Sequence, residues 1–448
     1  MGDPRTVAEH APTLQAPVVR TPGPQPESRL RAGVICLHTS PTAALGRSAN
    51  GGLNVYVREL CTALGRRGVA TDVFTRRTRA DGPEIEALGA LGRVVYLPAG
   101  PPEVDKYRLL HHVPDFSDAV QAWMMDSGLR YDVLYSHYWL AGIAACAVRA
   151  RLGLPWVHTA HTLALVKNRN LAPGDQSEPE VRVDLEGEIS RCADLLVVST
   201  EAEGLDLRRA YGVPPDKVFV LTPGCDLDAF RPEARDQARA LVGHPSEKLF
   251  VFVGRLERLK GVDVILRALS LVTACGRHPE VRLLVLGEDS RTSGESEKQR
   301  LMDLARELGL EDKVEFLGSV PQSRLRAYYA ASEACLLPSY SESFGLVGLE
   351  AQACGTAVVT SHRTGLASVV KDGRTGFLVD GPDPEAYAQR MLRLLEEPGL
   401  ADRMGERASR LVAGLSWQRS ADRLLDQVGQ LIARRRETDG RALAGRLA

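Results

Sequence analysis

Short apolar and β-branched runs alternate along this chain with longer stretches in which apolar positions recur every three or four residues. Strand-like runs fall at 34–38, 70–75, 93–97, 132–136, 156–159, 195–199 and 218–221 in the first half. The second half has them at 249–253, 281–286, 314–317, 334–337, 357–360 and 376–379. Helical periodicity fills the gaps, as at 53–67 and 181–192. Several runs are apolar at every position, the pattern of strands covered on both faces. Regular alternation of strand and helix predicts an α/β fold of parallel sheets with right-handed crossovers. One sheet of about thirteen strands would be unusually wide, so two sheets are expected.

The division is expected near 223–248, where Pro223-Gly224-Cys225-Asp226 and a charged stretch precede a new apolar strand. That gives domains at 30–232 and 233–418, then a C-terminal helix and tail at 419–448. The helical pattern at 416–435 has no strand after it and is expected to cross back over the junction. Residues 1–29 are rich in Pro, Ala, Thr and charge without an apolar core, which predicts a disordered lead-in and no signal peptide.

Composition narrows the function. In 448 residues the formal net charge is -1, so no global field points to nucleic acid or an anionic membrane. The longest apolar runs are strand-sized, so no membrane span is expected. Eight cysteines lie singly in apolar segments with no CxxC pair or Cys/His cluster. They are expected to be reduced thiols in a cytoplasmic protein, with no metal site.

In open α/β sheets, ligands bind beyond the carboxyl ends of the strands. The first such end carries His38-Thr39-Ser40-Pro41, then Asn50-Gly51-Gly52-Leu53-Asn54 opening a helix. Paired glycines admit close approach, and a helix N-terminus offers N–H groups to a phosphate. A simple helix-entry turn is an equal reading, and the spacing is not the GxGxxG of dinucleotide sites. In the second half, Gly254-Arg255-Leu256-Glu257-Arg258-Leu259-Lys260-Gly261 puts Arg255 and Lys260 past a strand end, where two cations can neutralise a diphosphate. Taken alone, such a pair reads as a solvated turn. His161, in His158-Thr159-Ala160-His161-Thr162, stands at another strand end.

The richest segment is Pro338-Ser339-Tyr340-Ser341-Glu342-Ser343-Phe344-Gly345-Leu346-Val347-Gly348-Leu349-Glu350-Ala351. A strand should run into a loop holding Glu342 at the cleft mouth. A helix should then open near Ser343 and bury Glu350 about two turns in. Such carboxylates accept hydrogen bonds from sugar hydroxyls.

With these pieces in order, the chain resembles the retaining glycosyltransferases of family four, which have the GT-B fold: two Rossmann-like domains facing across a cleft. The likeness runs from Val34 to about Arg419, and the segment above looks like the family's E-x7-E signature. Within the family, Ser136-His137-Tyr138-Trp139-Leu140, Val166-Lys167-Asn168 and Asn54-Val55-Tyr56-Val57 are similar to the mycothiol-pathway enzymes. Those enzymes add N-acetylglucosamine to 1D-myo-inositol 3-phosphate. The resemblance implies catalysis by Arg255, Lys260, His161 and Glu342. It implies donor contacts from Gly52, Arg255, Lys260, Glu342, Ser343, Phe344, Gly345 and Glu350. Acceptor contacts fall to His38, Asn54, Lys106, Tyr138, Thr162 and Arg182, with Lys106, Tyr138, Thr162 and Arg182 on the phosphate.

The resemblance further implies UDP-N-acetylglucosamine as donor, a small polar acceptor, retention of configuration and a homodimer. No cofactor is required, although Mg2+ can associate without a dedicated motif. Two segments depart from the pattern. Ala49-Asn50-Gly51-Gly52-Leu53-Asn54 replaces Asp-Ala-Gly-Gly-Met-Asn, and Arg363-Thr364-Gly365-Leu366-Ala367 replaces Gly-Gly-Leu-Pro. A relative serving a secondary-metabolite pathway, with another sugar and acceptor, fits these changes. A glycoside hydrolase using the two glutamates and a nucleotide-sugar epimerase are the readings from other classes.

Overall fold

A computed structural model describes residues 30–43, 51–79, 81–289 and 296–447, with side chains to 437. The lead-in at 1–29 and Asn50 of the glycine loop lie outside the described residues.

The first sheet has eight strands: β1 (Leu30–Ile35), β2 (Val69–Arg76), β3 (Ile85–Leu88), β4 (Gly92–Leu97), β5 (Val133–His137), β6 (Trp156–Thr159), β7 (Leu195–Val198) and β8 (Val218–Val220). Their order is β3-β4-β2-β1-β5-β6-β7-β8. The second has six: β9 (Lys248–Val253), β10 (Val281–Leu286), β11 (Val314–Gly318), β12 (Ser332–Leu337), β13 (Ala357–Ser361) and β14 (Gly376–Val379). Their order is β11-β10-β9-β12-β13-β14. All neighbours pair in parallel except β3, which runs antiparallel to β4. Every residue of β2, β5, β12 and β13 is buried, as expected for strands covered on both faces, and the polar residues among them, such as Asp72 of β2, are buried too.

Two strand expectations need correction. β3 was not expected, because Ile85-Glu86-Ala87-Leu88 is a half-exposed edge strand with too little apolar character to stand out. β1 ends at Ile35 instead of reaching 38. Cys36 and Leu37 still bond to Phe74 and Arg76 of β2, and Leu37 is buried, so the ladder frays where the apolar run continues.

Within the first sheet, Asp72 of β2 is fully buried and accepts from Arg93, Arg31 and Tyr131. A buried carboxylate needs such partners. At the junction, Cys225 N donates to Leu415 O at 2.8 Å, so segments 223–225 and 415–417 run side by side. A side chain at Gly224 would strike the backbone of Trp417, which restricts that position to glycine. The helix Trp417–Leu447 then crosses back onto the first half. Trp417, Ala421, Leu424, Val428 and Ile432 recur at helical spacing and are buried there, each large side chain contributing about 1.5–3 kcal/mol. Trp417 meets the Tyr56 ring at 5.4 Å, and Arg67 forks onto Asp422.

Candidate functional site

In the first sheet the chain leaves β1 towards β2 on one side and returns to β5 on the other, so a crevice opens between the carboxyl ends of β1 and β5. His38 follows β1 and Tyr138 follows β5, and their rings meet at 4.5 Å. Tyr138 has φ of 78° and His161, just beyond β6, has φ of 60°. They are the two non-glycine residues with positive φ among the described residues. Each such conformation costs about 1–3 kcal/mol and concentrates at functional sites.

Arg182 projects from the helix Glu180–Cys192 and is 1% exposed. Its guanidinium covers the Tyr138 ring at 5.0 Å and donates to Thr162 Oγ1 at 2.9 Å. Glu186 and Glu178 pair with it at 2.7 and 2.8 Å. Lys106, on the loop after β4, lies 3.7 Å from Glu178 and over the Tyr107 ring. Burial, reinforced by Lys106, Arg182 and Arg255, lowers the His38 pKa to about 3. The imidazole therefore stays neutral, and its Nδ1 is buried without a partner among the described residues. Five of the six expected acceptor residues thus gather at the crevice. Asn54 does not face it. Its amide nitrogen donates to Thr39 Oγ1 and Ser40 O, and its oxygen accepts from Gly51 N, so the side chain braces the loop.

The second sheet has its own switch point, between β9 and β12. Lys260 ends a 3-10 turn after β9 and pairs with Glu342 from the loop after β12. Arg255 pairs with Glu257 at 2.8 Å. Both expected diphosphate cations are therefore held by carboxylates. The glycine loop faces them: a Cβ on Gly51 would lie 3.6 Å from Arg255 Nε, and one on Gly52 would lie 3.9 Å from Leu346.

The expected helix does not open near Ser343. Gly345 takes φ of 86° and the helix runs Leu346–Ala353. The Ser343 hydroxyl donates instead to the backbone oxygen of His161, joining the two halves. The Phe344 ring is buried in the second core. Glu350 is also buried and accepts from the Tyr329 hydroxyl at 3.1 Å. It lines a small cavity with Val55, Glu59, Asp226 and Trp417, and burial raises its pKa to about 7. Glu342 and Glu350 thus meet different surroundings.

His161 Nε2 lies 3.0 Å from His137 Nδ1, and the Tyr56 ring packs edge-on at 5.0 Å. Burial, then His158 and His38, lowers the His161 pKa to about 3, so it acts as a neutral imidazole. His137 and Lys167 stood in the segments that carry the resemblance without a role of their own, and Glu178 and Glu186 were passed over. For the glutamates a signal existed: Glu178, Arg182 and Glu186 recur every four residues. Among the described residues no three His, Cys, Asp or Glu side chains gather to hold a metal. No helix among them is long and apolar enough to cross a membrane.

Residues 51–224 match the glycosyl transferase 4-like domain and residues 234–411 match glycosyl transferases group 1. D-inositol 3-phosphate glycosyltransferase of Corynebacterium jeikeium is 42% identical, over 88% of this chain and 95% of its own length. Its namesake in Nocardiopsis dassonvillei is 41% identical over 88% and 93%. Sucrose-phosphate synthase of Thermosynechococcus elongatus superposes with a TM-score of 0.84 at 32% identity, covering 90% of this chain and all of that one. The Anabaena protein HepE, solved with UDP-glucose, shares the fold at TM-score 0.69, 17% identity and coverages of 90% and 100%. The chain is a glycosyltransferase of GT-B fold and belongs to the glycosyl transferase 4-like and group 1 family that includes the D-inositol 3-phosphate glycosyltransferases.

Proposed function

We propose that this glycosyltransferase moves N-acetylglucosamine from UDP-N-acetylglucosamine to 1D-myo-inositol 3-phosphate with retention, the step that serves mycothiol biosynthesis. The observation that carries this reading is the gathering of His38, Lys106, Tyr138, Thr162 and Arg182 at one switch point. Two cations and two hydroxyl-bearing side chains suit a phosphate monoester. Arg255, from the other half, reaches the same electrostatic neighbourhood, so acceptor and donor diphosphate would lie close together.

In this mechanism Arg255 and Lys260 exchange Glu257 and Glu342 for the donor's diphosphate. They stabilise the negative charge that builds on the leaving oxygen. That oxygen takes the acceptor hydroxyl's proton on the same face of the sugar, within an oxocarbenium-like ion pair. Glu342, released from Lys260, accepts from the donor sugar's hydroxyls, and Glu350 from the ribose. Neutral His161 orients the sugar by hydrogen bonding. Because two protein cations carry the diphosphate charge, activity should survive a chelator. The eight free thiols favour a reducing, cytoplasmic setting, and the enzyme is taken to act as a homodimer.

One observation favours a second reading with another donor sugar. Gly365, in the divergent 363–367 segment, donates its N–H to Glu342 O at 2.9 Å, so changes there reshape the sugar side of the site. A matrix of UDP-sugars against inositol and inositol 3-phosphate, read by UDP release, tests both. The first reading expects UDP-N-acetylglucosamine with the phosphorylated acceptor to be fastest. Faster release with a different sugar would replace it by the second.

A further inference from the structure

Glu178 is 4% exposed and stands among the groups assigned above to the acceptor's phosphate. Its carboxylate accepts from the Tyr107 hydroxyl at 2.5 Å, from Lys167 Nζ at 2.5 Å and from Arg182 at 2.8 Å, with Lys106 at 3.7 Å. Asn168 clamps its backbone from both sides: Glu178 N donates to Asn168 Oδ1, and Asn168 Nδ2 donates to Glu178 O. Burial opposes ionisation, but Arg182, Lys167 and the Tyr107 hydroxyl outweigh it and lower the pKa to about 2. The group is a fixed anion inside a cationic pocket.

A carboxylate so fully engaged has little capacity left for a substrate hydroxyl. Its effect falls on the cations. Lys106, Lys167 and Arg182 face two carboxylates, Glu178 and Glu186, so these contacts leave a single positive charge in excess. In a partly buried site each uncompensated charge weighs heavily on anion affinity.

We propose that Glu178 is a specificity-determining residue that trims the acceptor pocket's positive charge, so that it accepts one phosphate group weakly enough for turnover and discriminates against more highly charged anions. This rests on the acceptor-phosphate reading given above.

The test is calorimetric titration of inorganic phosphate, then of inositol bisphosphate, into the full-length protein with UDP saturating the donor side. Glu178→Gln should bind phosphate at least tenfold more tightly than wild type and gain more for the bisphosphate. Lys167→Met should move the other way, weakening phosphate at least tenfold, and keeps the proposal testable if Glu178→Gln does not fold. Glu178→Asp, which keeps the charge, should stay within about threefold of wild type. Wild type that binds phosphate while Glu178→Gln gains nothing, or Lys167→Met loses nothing, overturns the charge-trimming role alone. Wild type that binds no phosphate overturns the acceptor reading, and this inference with it.

Discussion

The Ser343 hydroxyl of the second half donates a hydrogen bond to the backbone oxygen of His161 in the first. It ties the strained turn after β6 to the loop that carries Glu342. Arg58 to Gln322 and Arg258 to Pro173 O are further contacts across the cleft. A glycosyltransferase must shut water out while the donor is activated, and this bond lies where closure would be felt.

Ser343→Ala removes this hydrogen bond between the two halves. A neutral hydrogen bond contributes about 1 kcal/mol, so roughly fivefold more donor should be lost to water per transfer. The ratio of free sugar to glycoside, counted against UDP, reads this directly. An unchanged ratio means the contact does not govern closure.

Lys260→Ala should lower kcat/KM for the donor at least tenfold, equivalent to about 1.4 kcal/mol of transition-state stabilisation. Glu342 loses its partner in the same variant, so Lys260→Arg, which keeps a cation beside it, should recover part of the loss. Wild-type turnover by Lys260→Ala would remove this residue from the mechanism.

Burial lowers the pKa of His38, His158 and His161 to about 3, and that of His137 well below its usual value. NMR should therefore show four of the ten histidines failing to titrate between about pH 5 and pH 8. Their folded pKa values lie below the unfolded ones, so the stability they carry is present above about pH 6.5 and is lost as pH falls towards 3. Glu350 has the opposite sign. Its pKa is raised from 4.5 to about 7, so wild type should lose stability relative to Glu350→Gln as pH rises through that window. Urea unfolding of both proteins at pH 5 and pH 7.5 measures the difference.

Asp72 provides the structural control. Removing its charge takes the Asp72 carboxylate away from the buried Arg31 and Arg93 guanidiniums, so Asp72→Asn should cost about 3 kcal/mol or more. Its specific activity per folded molecule should equal wild type. Lost activity in protein shown to be folded would mean the first sheet's core reaches the site.

Most strands were legible because they are largely buried and therefore rich in apolar and β-branched residues, as β7, β9 and β13 show. β3 was not, since Glu86 interrupts an edge strand half open to water. The donor-side candidates stood out in sequence as two pairs, Arg255 with Lys260 just after β9 and Glu342 with Glu350 just after β12. The helix start was misplaced because no composition rule reveals that Gly345, and not Ser343, takes the left-handed turn that lets the helix begin. Positive φ at Tyr138 and His161 is likewise imposed by tertiary packing, not by residue type. Asn54 reads as an acceptor group in sequence, whereas its amide bonds to Thr39, Ser40 and Gly51; polar residues in both roles look identical in one dimension. Glu178 went unread because its meaning depends on Lys106, Tyr107 and Lys167, which come from other segments of the chain.

The proposed reaction transfers N-acetylglucosamine to a phosphorylated inositol with retention. Its most direct test is the product itself, made from UDP-N-acetylglucosamine and 1D-myo-inositol 3-phosphate by the purified full-length enzyme, with mass and anomeric coupling read by mass spectrometry and NMR. The expected product is a phosphorylated, α-linked N-acetylglucosaminyl-inositol formed one-to-one with UDP. A β-linked product would contradict the retaining mechanism. Absence of product from a preparation that turns over another donor and acceptor would contradict the substrates.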